Sequence, residues 1–194
     1  KSISEKKCIL FAPSWNYDED NLFNKHGDSI INNLINSDFN VIFRPHPEII
    51  KRNKSQYDYI VNKFGISKNF ILDISPSNIQ SMEKASLLIT DNSAISIEYS
   101  FAFYRPVIFI DYKEKIHNKN YHSISSSTFE SKFKKEIAFS VPIEDINKLN
   151  LICDNTIKNY KFDNHKIDLF KNNFLSNISK SSEVAAEFLI NDNK

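Results

Sequence analysis

At 194 residues, with 41% hydrophobic and 25% charged side chains, the chain has ordinary globular composition and room for one sizeable core, so a single domain is expected. A formal net charge of +1 supplies no field that would gather a polyanion, and no nucleic-acid partner is expected. Cys8 and Cys153, its two cysteines, are too few for a disulfide framework and lack metal-ligand spacing, which fits a reduced, cytoplasmic setting.

In chain order, Cys8–Ala12 ("CILFA") reads as a short buried strand stopped by Pro13-Ser14-Trp15. Apolar residues at 30, 31, 34 and 35 have helical spacing and predict a helix over Asp28–Asn36. Asn40–Phe43 is a second strand, ended by "RPHPE", and Gln56–Phe64 is a helix closed by Gly65. Phe70–Leu72 is a third strand, and Ser77–Ala85 a helix with Ser77 as its cap. Leu87–Thr90 is the fourth strand, Ser93–Phe103 a helix and Val107–Ile110 the fifth strand. Lys113–Ser131 reads as a polar loop and Lys135–Ser140 as a last strand, followed by helices over Ile143–Asn150, Ile167–Phe174 and Ser181–Ile190.

Strands alternating with helices imply a parallel sheet, and the near-continuous apolar strands agree, since such strands are covered on both faces. The expected fold is α/β, a Rossmann-like parallel sheet with flanking helices and a helical C-terminal part over 143–194. No apolar run approaches the ~20 residues needed to span a bilayer, and no signal peptide is visible. Because the chain starts at Lys1 rather than Met, we expect a portion of a longer protein. Gly27 and Gly65 are its only glycines, which excludes a glycine-rich phosphate loop. The lysine clusters, such as Lys51-Arg52-Asn53-Lys54 and Lys132–Lys135, read as solvated surface, the alternative being contact with an anionic lipid or polymer on one face.

In open sheets of this kind ligands sit beyond the carboxyl ends of the strands. The residues there are Ser14 and Trp15, then Arg44-Pro45-His46-Pro47-Glu48, then Asp73 and Ser75, then Asp91-Asn92-Ser93, then Asp111-Tyr112. A helix that starts near Ser93 has free backbone N–H groups and partial positive charge in its first turn, so it can hold phosphate without glycine or metal. The plainer alternative is that Ser93 or Asp91 simply caps the helix. Asp91 would repel a phosphate and is expected to orient the turn or accept from sugar hydroxyls.

Two prolines restrict the backbone around His46, which could donate to phosphate or act as an acid. Arg44 carries a planar fork suited to phosphate oxygens. The alternatives are an ordinary ion pair for Arg44 and a solvated loop position for His46. Glu98, five residues past Ser93, either lies at the helix surface or accepts from ribose hydroxyls. Trp15 is expected to be partly buried at the sheet edge, and Tyr121-His122 to sit in the long loop. Arg44 and His46 are thus the candidate catalytic residues, with Ser14, Ser75, Asp91, Asn92, Ser93 and Glu98 as candidate substrate-binding residues. No acidic cluster suggests a metal, and no cofactor is expected.

At these residues the sequence resembles the CDP-glycerol glycerophosphotransferase family of teichoic-acid and capsule polymerases. Ala12–Trp15 ("APSW") is similar to that family's "PTW" element, and Arg44-Pro45-His46-Pro47 to its "R-x-H-P". Ala85–Tyr112, "ASLLITDNSAISIEYSFAFYRPVIFIDY", is similar to its most specific stretch, and Asn118–Ser123 lies where it carries "RGFY". Ala94 stands where the family has a second serine, and "DISPSNI" lacks the histidine usual there.

The resemblance implies a GT-B-type architecture of which this chain is the C-terminal, donor-nucleotide-binding half. It implies a CDP-linked donor such as CDP-glycerol, attack of an acceptor hydroxyl on the β-phosphorus, transfer of phosphoglycerol to a growing cell-surface polymer, and release of CMP. Arg44, His46 and Ser93 would contact the pyrophosphate, and Glu98 stands where the family has an acid. The implied partners are an N-terminal acceptor domain, missing here, and a polymer or lipid-linked acceptor. The implied location is the cytoplasm, peripheral on the inner face of a bacterial membrane through the full-length protein. The alternatives are half of a GT-B glycosyltransferase that uses a nucleotide-sugar in capsule or lipopolysaccharide synthesis, or a binding domain without catalysis.

Overall fold

Short apolar runs form the centre of the structure, a computed structural model that describes residues 6–113, 118, 120–124, 128–160 and 163–192. The strands are β1 (Lys7–Phe11), β2 (Phe39–Phe43), β3 (Phe70–Leu72), β4 (Leu87–Thr90), β5 (Val107–Asp111) and β6 (Phe139–Pro142). They form one sheet in the order β3-β2-β1-β4-β5-β6, with every neighbouring pair parallel. Ile9 pairs with Val41 on one side and Leu87 on the other, and Ile89 pairs with Ile108. Ile9, Leu10, Phe11, Leu87, Leu88 and Ile89 are wholly buried, as expected of central strands covered on both faces. The fold is therefore Rossmann-like, and its strand order reverses between β1 and β4, where loops leave the carboxyl edge in opposite directions and open a crevice.

The helices of this unit are α1 (Leu22–Ile35), α2 (Pro47–Arg52), α3 (Lys54–Phe64), α4 (Ile79–Lys84), α5 (Ile95–Phe103), α6 (Phe129–Glu136) and α7 (Leu149–Asn159). Two 3₁₀ turns, Tyr121–Ser123 and Ile143–Lys148, accompany them. The described residues 163–192 form a second unit with α8 (Asn164–Phe174) and α9 (Ser181–Asp192). In the first unit the Phe43 ring stacks with Phe11 and Phe23 at centroid distances of 5.9 and 5.6 Å. These contacts pin α1 to the sheet.

Several boundaries differ from the sequence expectation, each for a local reason. α1 begins six residues before Asp28 because the Asn21 side chain accepts from the Asn24 N–H and caps it, and Leu22 and Phe23 extend the buried stripe. "RPHPE" does not merely end a strand: Pro47 takes the first position of α2, where its fixed φ and missing N–H cost nothing. α4 has Asn78 rather than Ser77 at its cap position, and the Ser77 hydroxyl accepts from the Ile79 N–H at 3.4 Å. The strand expected over Lys135–Ser140 is displaced to β6, because Thr128 caps α6 and buried Phe133 anchors it as far as Glu136. The helix expected over Ile143–Asn150 is a 3₁₀ turn that passes into α7. Within the polar segment Lys113–Ser131, residues 114–117, 119 and 125–127 lie outside the described residues.

Candidate functional site

Three residues lie one step beyond their strands yet remain held by the sheet. Ala12 N–H donates to Ile89 O at 3.0 Å, Arg44 N–H to Phe11 O at 2.9 Å, and Asp73 N–H to Phe43 O at 2.9 Å. The carboxyl edge is therefore rigid where the polar side chains begin.

At the β1/β4 switch point the two loops are bound to each other. Thr90 Oγ1 donates to Ala12 O at 2.6 Å. Ser14 donates its N–H to Asp91 Oδ1 at 2.6 Å and its hydroxyl to Asp91 Oδ2 at 2.9 Å. Ser14 is 5% exposed and Asp91 8%, so both oxygens of this carboxylate are taken up in a buried contact. Asp91 orients the turn, one of the two roles expected of it. It does not cap α5, and neither does Ser93: Ala94 holds the cap position with no side-chain hydrogen bond. The Ser93 carbonyl accepts instead from the N–H and hydroxyl of Ser96, at 3.2 and 2.7 Å.

Arg44 has the ion pair that was its plainer reading. Its Nη1 lies 2.6 Å from Asp73 Oδ2, and its Nη2 donates to Ser75 O at 3.0 Å. Asp73 is the hub. Oδ1 accepts from the Ser75 N–H and hydroxyl, and Oδ2 accepts from Ser81 Oγ as well as from Arg44. Burial opposes its charge, but the bonds from Ser75, Ser81 and Arg44 outweigh burial and hold the carboxyl at about 2. The sequence left Asp73 outside the candidate site; the available signal was an Asx-type turn, Asp-x-Ser, directly after a strand.

His46 caps α2, its Nδ1 accepting from the Glu48 N–H at 3.1 Å. In the neutral ring the proton then sits on Nε2, across the ring from the helix. The imidazole packs against Trp15 with centroids 5.9 Å apart. Trp15 in turn meets Tyr17 edge-on at 4.8 Å, and the Arg52 guanidinium lies 5.7 Å from the Trp15 ring and 5.2 Å from the Tyr17 ring. This aromatic and cationic rim was also missed, because it joins residues 15, 17, 46 and 52 through tertiary contacts alone.

These elements enclose a cleft of about 210 Å³, lined by Arg44, His46, Asp73, Ser75 and Ser93 together with an apolar wall that includes Pro45, Ile50, Ile74 and Ile95. Four of the candidate residues, Arg44, His46, Ser75 and Ser93, thus share one hollow. Ser14 and Asp91 are bound to each other behind Pro13 and do not line it. Asn92 is exposed. Glu98, in the first turn of α5, is exposed and accepts from Asn78 Nδ2 at 3.0 Å. Tyr121 and His122 stack on each other in an exposed turn and are not among the lining residues. A larger hollow of about 320 Å³ is lined by Asn32 and Asn33 of α1, Asn36 just past its end and Asn150 of α7, away from these residues. Among the described residues no group of three or more His, Cys, Asp or Glu side chains could hold a metal ion.

Chemically, the cleft combines a fixed guanidinium, an imidazole N–H, the Ser93 hydroxyl and the start of a helix, all suited to an anion, with an apolar wall suited to a flat ring, while the Ser75 hydroxyl is committed to Asp73. A family model described as CDP-Glycerol:Poly(glycerophosphate) glycerophosphotransferase matches residues 2–184. No curated protein matches the chain. Among solved structures, the wall teichoic acid polymerase TagF is 22% identical with a TM-score of 0.56, over 97% of this chain and 44% of that one. A TagF variant soaked with CDPG for 30 minutes is 22% identical with a TM-score of 0.53, over 97% and 43%. Anabaena Alr3699/HepE in complex with UDP is 9% identical with a TM-score of 0.53, over 94% and 49%. At these identities the likeness is one of fold, that of one half of a GT-B enzyme. The chain spans less than half the length of the TagF chains it matches.

Proposed function

Because the chain belongs to the CDP-glycerol:poly(glycerophosphate) glycerophosphotransferase family, we propose that it is the donor-binding half of a transferase. That enzyme moves phosphoglycerol, or a related phospho-alcohol, from a CDP-linked donor to a hydroxyl of a growing cell-surface polymer. The observation that carries this reading is the single cleft shared by Arg44, His46, Ser75 and Ser93 at the carboxyl edge of the sheet. The CDPG soak of a TagF variant supports a CDP-linked donor.

In this reading the diphosphate lies against Arg44, Ser93 and the backbone N–H groups that open α5. The acceptor hydroxyl attacks the β-phosphorus and CMP departs. Such transfers depend on positioning and on charge stabilisation rather than on covalent help from the protein. His46 donates from Nε2 to a phosphate oxygen, because Nδ1 is already occupied by the Glu48 N–H. Glu98 accepts from the ribose hydroxyls. The acceptor and the base that activates it belong to the other half of the enzyme. No helix among the described residues is long and apolar enough to cross a membrane, so contact with a membrane-bound acceptor is assigned to the rest of the protein.

Isothermal titration of this chain with CDP-glycerol, CDP-ribitol, CMP and UDP-sugars tests the reading. CDP-glycerol is expected to bind and UDP-sugars are not. Failure to bind any cytidine nucleotide overturns it, and preference for a UDP-sugar points to a glycosyltransferase instead. In the full-length parent, His46→Ala is expected to lower transfer by roughly 10²–10³-fold, the loss of one preorganised donor; an active variant removes the role given to His46.

A further inference from the structure

The geometry points to Asp73 as the positioning residue of the cleft, acting through Arg44: it holds the guanidinium in its anion-binding orientation before any ligand arrives. The inference takes the identity of the ligand, a diphosphate, from the reading above, while the positioning itself stands on the contacts.

Those contacts are unusually complete. Asp73 is anchored by its own N–H to Phe43 O, and its side chain is 11% exposed. Both carboxylate oxygens accept two hydrogen bonds, one from the N–H and one from the hydroxyl of Ser75, one from Ser81 and one from Arg44. Arg44 is anchored in the same way, by its N–H to Phe11 O, and its side chain is 16% exposed. The guanidinium is therefore gripped by Asp73 and by the Ser75 carbonyl on one side. Three of its five N–H groups at most serve Asp73 and Ser75, which leaves at least two for a ligand in the cleft that Arg44 lines.

Two effects of Asp73 on an anion oppose each other. Its charge weakens the attraction of Arg44 for a diphosphate. Its grip removes the rotamer freedom that a long arginine would otherwise lose on binding, and it keeps the planar fork aimed. We expect the second to win, because a guanidinium misaimed by about 1 Å forfeits a charge-assisted bond, whereas the charge of Asp73 is already spread over four donors.

The test uses Asp73→Asn, Arg44→Gln and the double variant of this chain. Binding of CDP-glycerol and of inorganic pyrophosphate is read by calorimetry, and order at Arg44 by the ¹⁵N resonance of its Nε–H. Each single variant is expected to bind about 10- to 100-fold more weakly, the loss of one hydrogen bond to a charged group. The double variant is expected to be no worse than Arg44→Gln alone, since Asp73 acts through Arg44. The Arg44 resonance is expected to be distinct in the native chain and averaged in Asp73→Asn. Unchanged or tighter binding by Asp73→Asn, or losses that multiply in the double variant, overturn the proposal. Should the native chain bind neither ligand, the donor reading fails by itself; the Arg44 resonance then decides the positioning, and an unchanged signal in Asp73→Asn rejects it. If Asp73→Asn does not fold, Ser81→Ala replaces it. That change removes one bond orienting the same carboxylate oxygen, and binding weakened severalfold is expected; unaltered binding overturns the proposal.

Discussion

Replacing Asp91 with alanine separates a structural carboxylate from a ligand-binding one. In the native chain Asp91 accepts from both the N–H and the hydroxyl of Ser14, at 2.6 and 2.9 Å. Both residues are buried, so the alanine variant leaves two donors without a partner and without ready access to water. Each such loss costs about 1–3 kcal/mol. Against this stands the desolvation of the carboxylate, which alanine abolishes, so the net destabilisation is expected near 2–4 kcal/mol. Ser14→Ala removes only the hydroxyl, keeps the backbone bond to Asp91, and is expected to cost about 1–2 kcal/mol. Urea denaturation followed by far-UV circular dichroism measures both. The midpoint should fall for each variant, further for Asp91→Ala, with the slope unchanged. A cost below about 1 kcal/mol for Asp91→Ala, or a larger cost for Ser14→Ala, would refute the view that this pair bolts the β1 and β4 loops together.

Acid should weaken the fold through Asp73. Its carboxyl is held at about 2, below the ordinary 3.8, so the stabilisation is fully present above about pH 4 and disappears as the pH falls through 2. The shift corresponds to about 2 kcal/mol. Asp73→Asn should therefore flatten the stability–pH curve between pH 4 and 2, and an unchanged slope there would contradict the assignment. Ile89 is wholly buried in the central strand β4. Ile89→Ala should cost about 2–5 kcal/mol in the same denaturation assay, and a loss under 1 kcal/mol would mean that the centre of the sheet is less tightly packed than described.

How much of this was legible differs from element to element. Cys8–Ala12, Asn40–Phe43, Phe70–Leu72, Leu87–Thr90 and Val107–Ile110 were read within one residue of their observed limits at either end. A buried parallel strand announces itself by a continuous apolar run. Helix starts were poorer: α1 and α2 were set by the Asn21 and His46 caps, with Pro47 at the first position of α2, and such roles are invisible to apolar spacing. The candidate residues Arg44, His46, Ser75 and Ser93 were found by position after strands alone, and they share a cleft. Ser14 and Asp91 were found by the same rule but are bound to each other, because position after a strand says where a backbone emerges and not which way a side chain turns.

What the sequence settled unaided was the parallel α/β sheet, the edge that bears the polar residues and the resemblance to a transferase family, since all three follow from local runs and their order. Only the tertiary structure decided that Asp73 clasps Arg44, that Asp91 faces Ser14 rather than the cleft, and that Trp15, Tyr17, His46 and Arg52 form one rim. The first two pairings cross separations of 29 residues for Asp73–Arg44 and 77 for Asp91–Ser14. Hydrogen bonds and ring contacts are short-ranged, and which groups come within reach is set by strand register and loop geometry, quantities that exist only once the chain has folded.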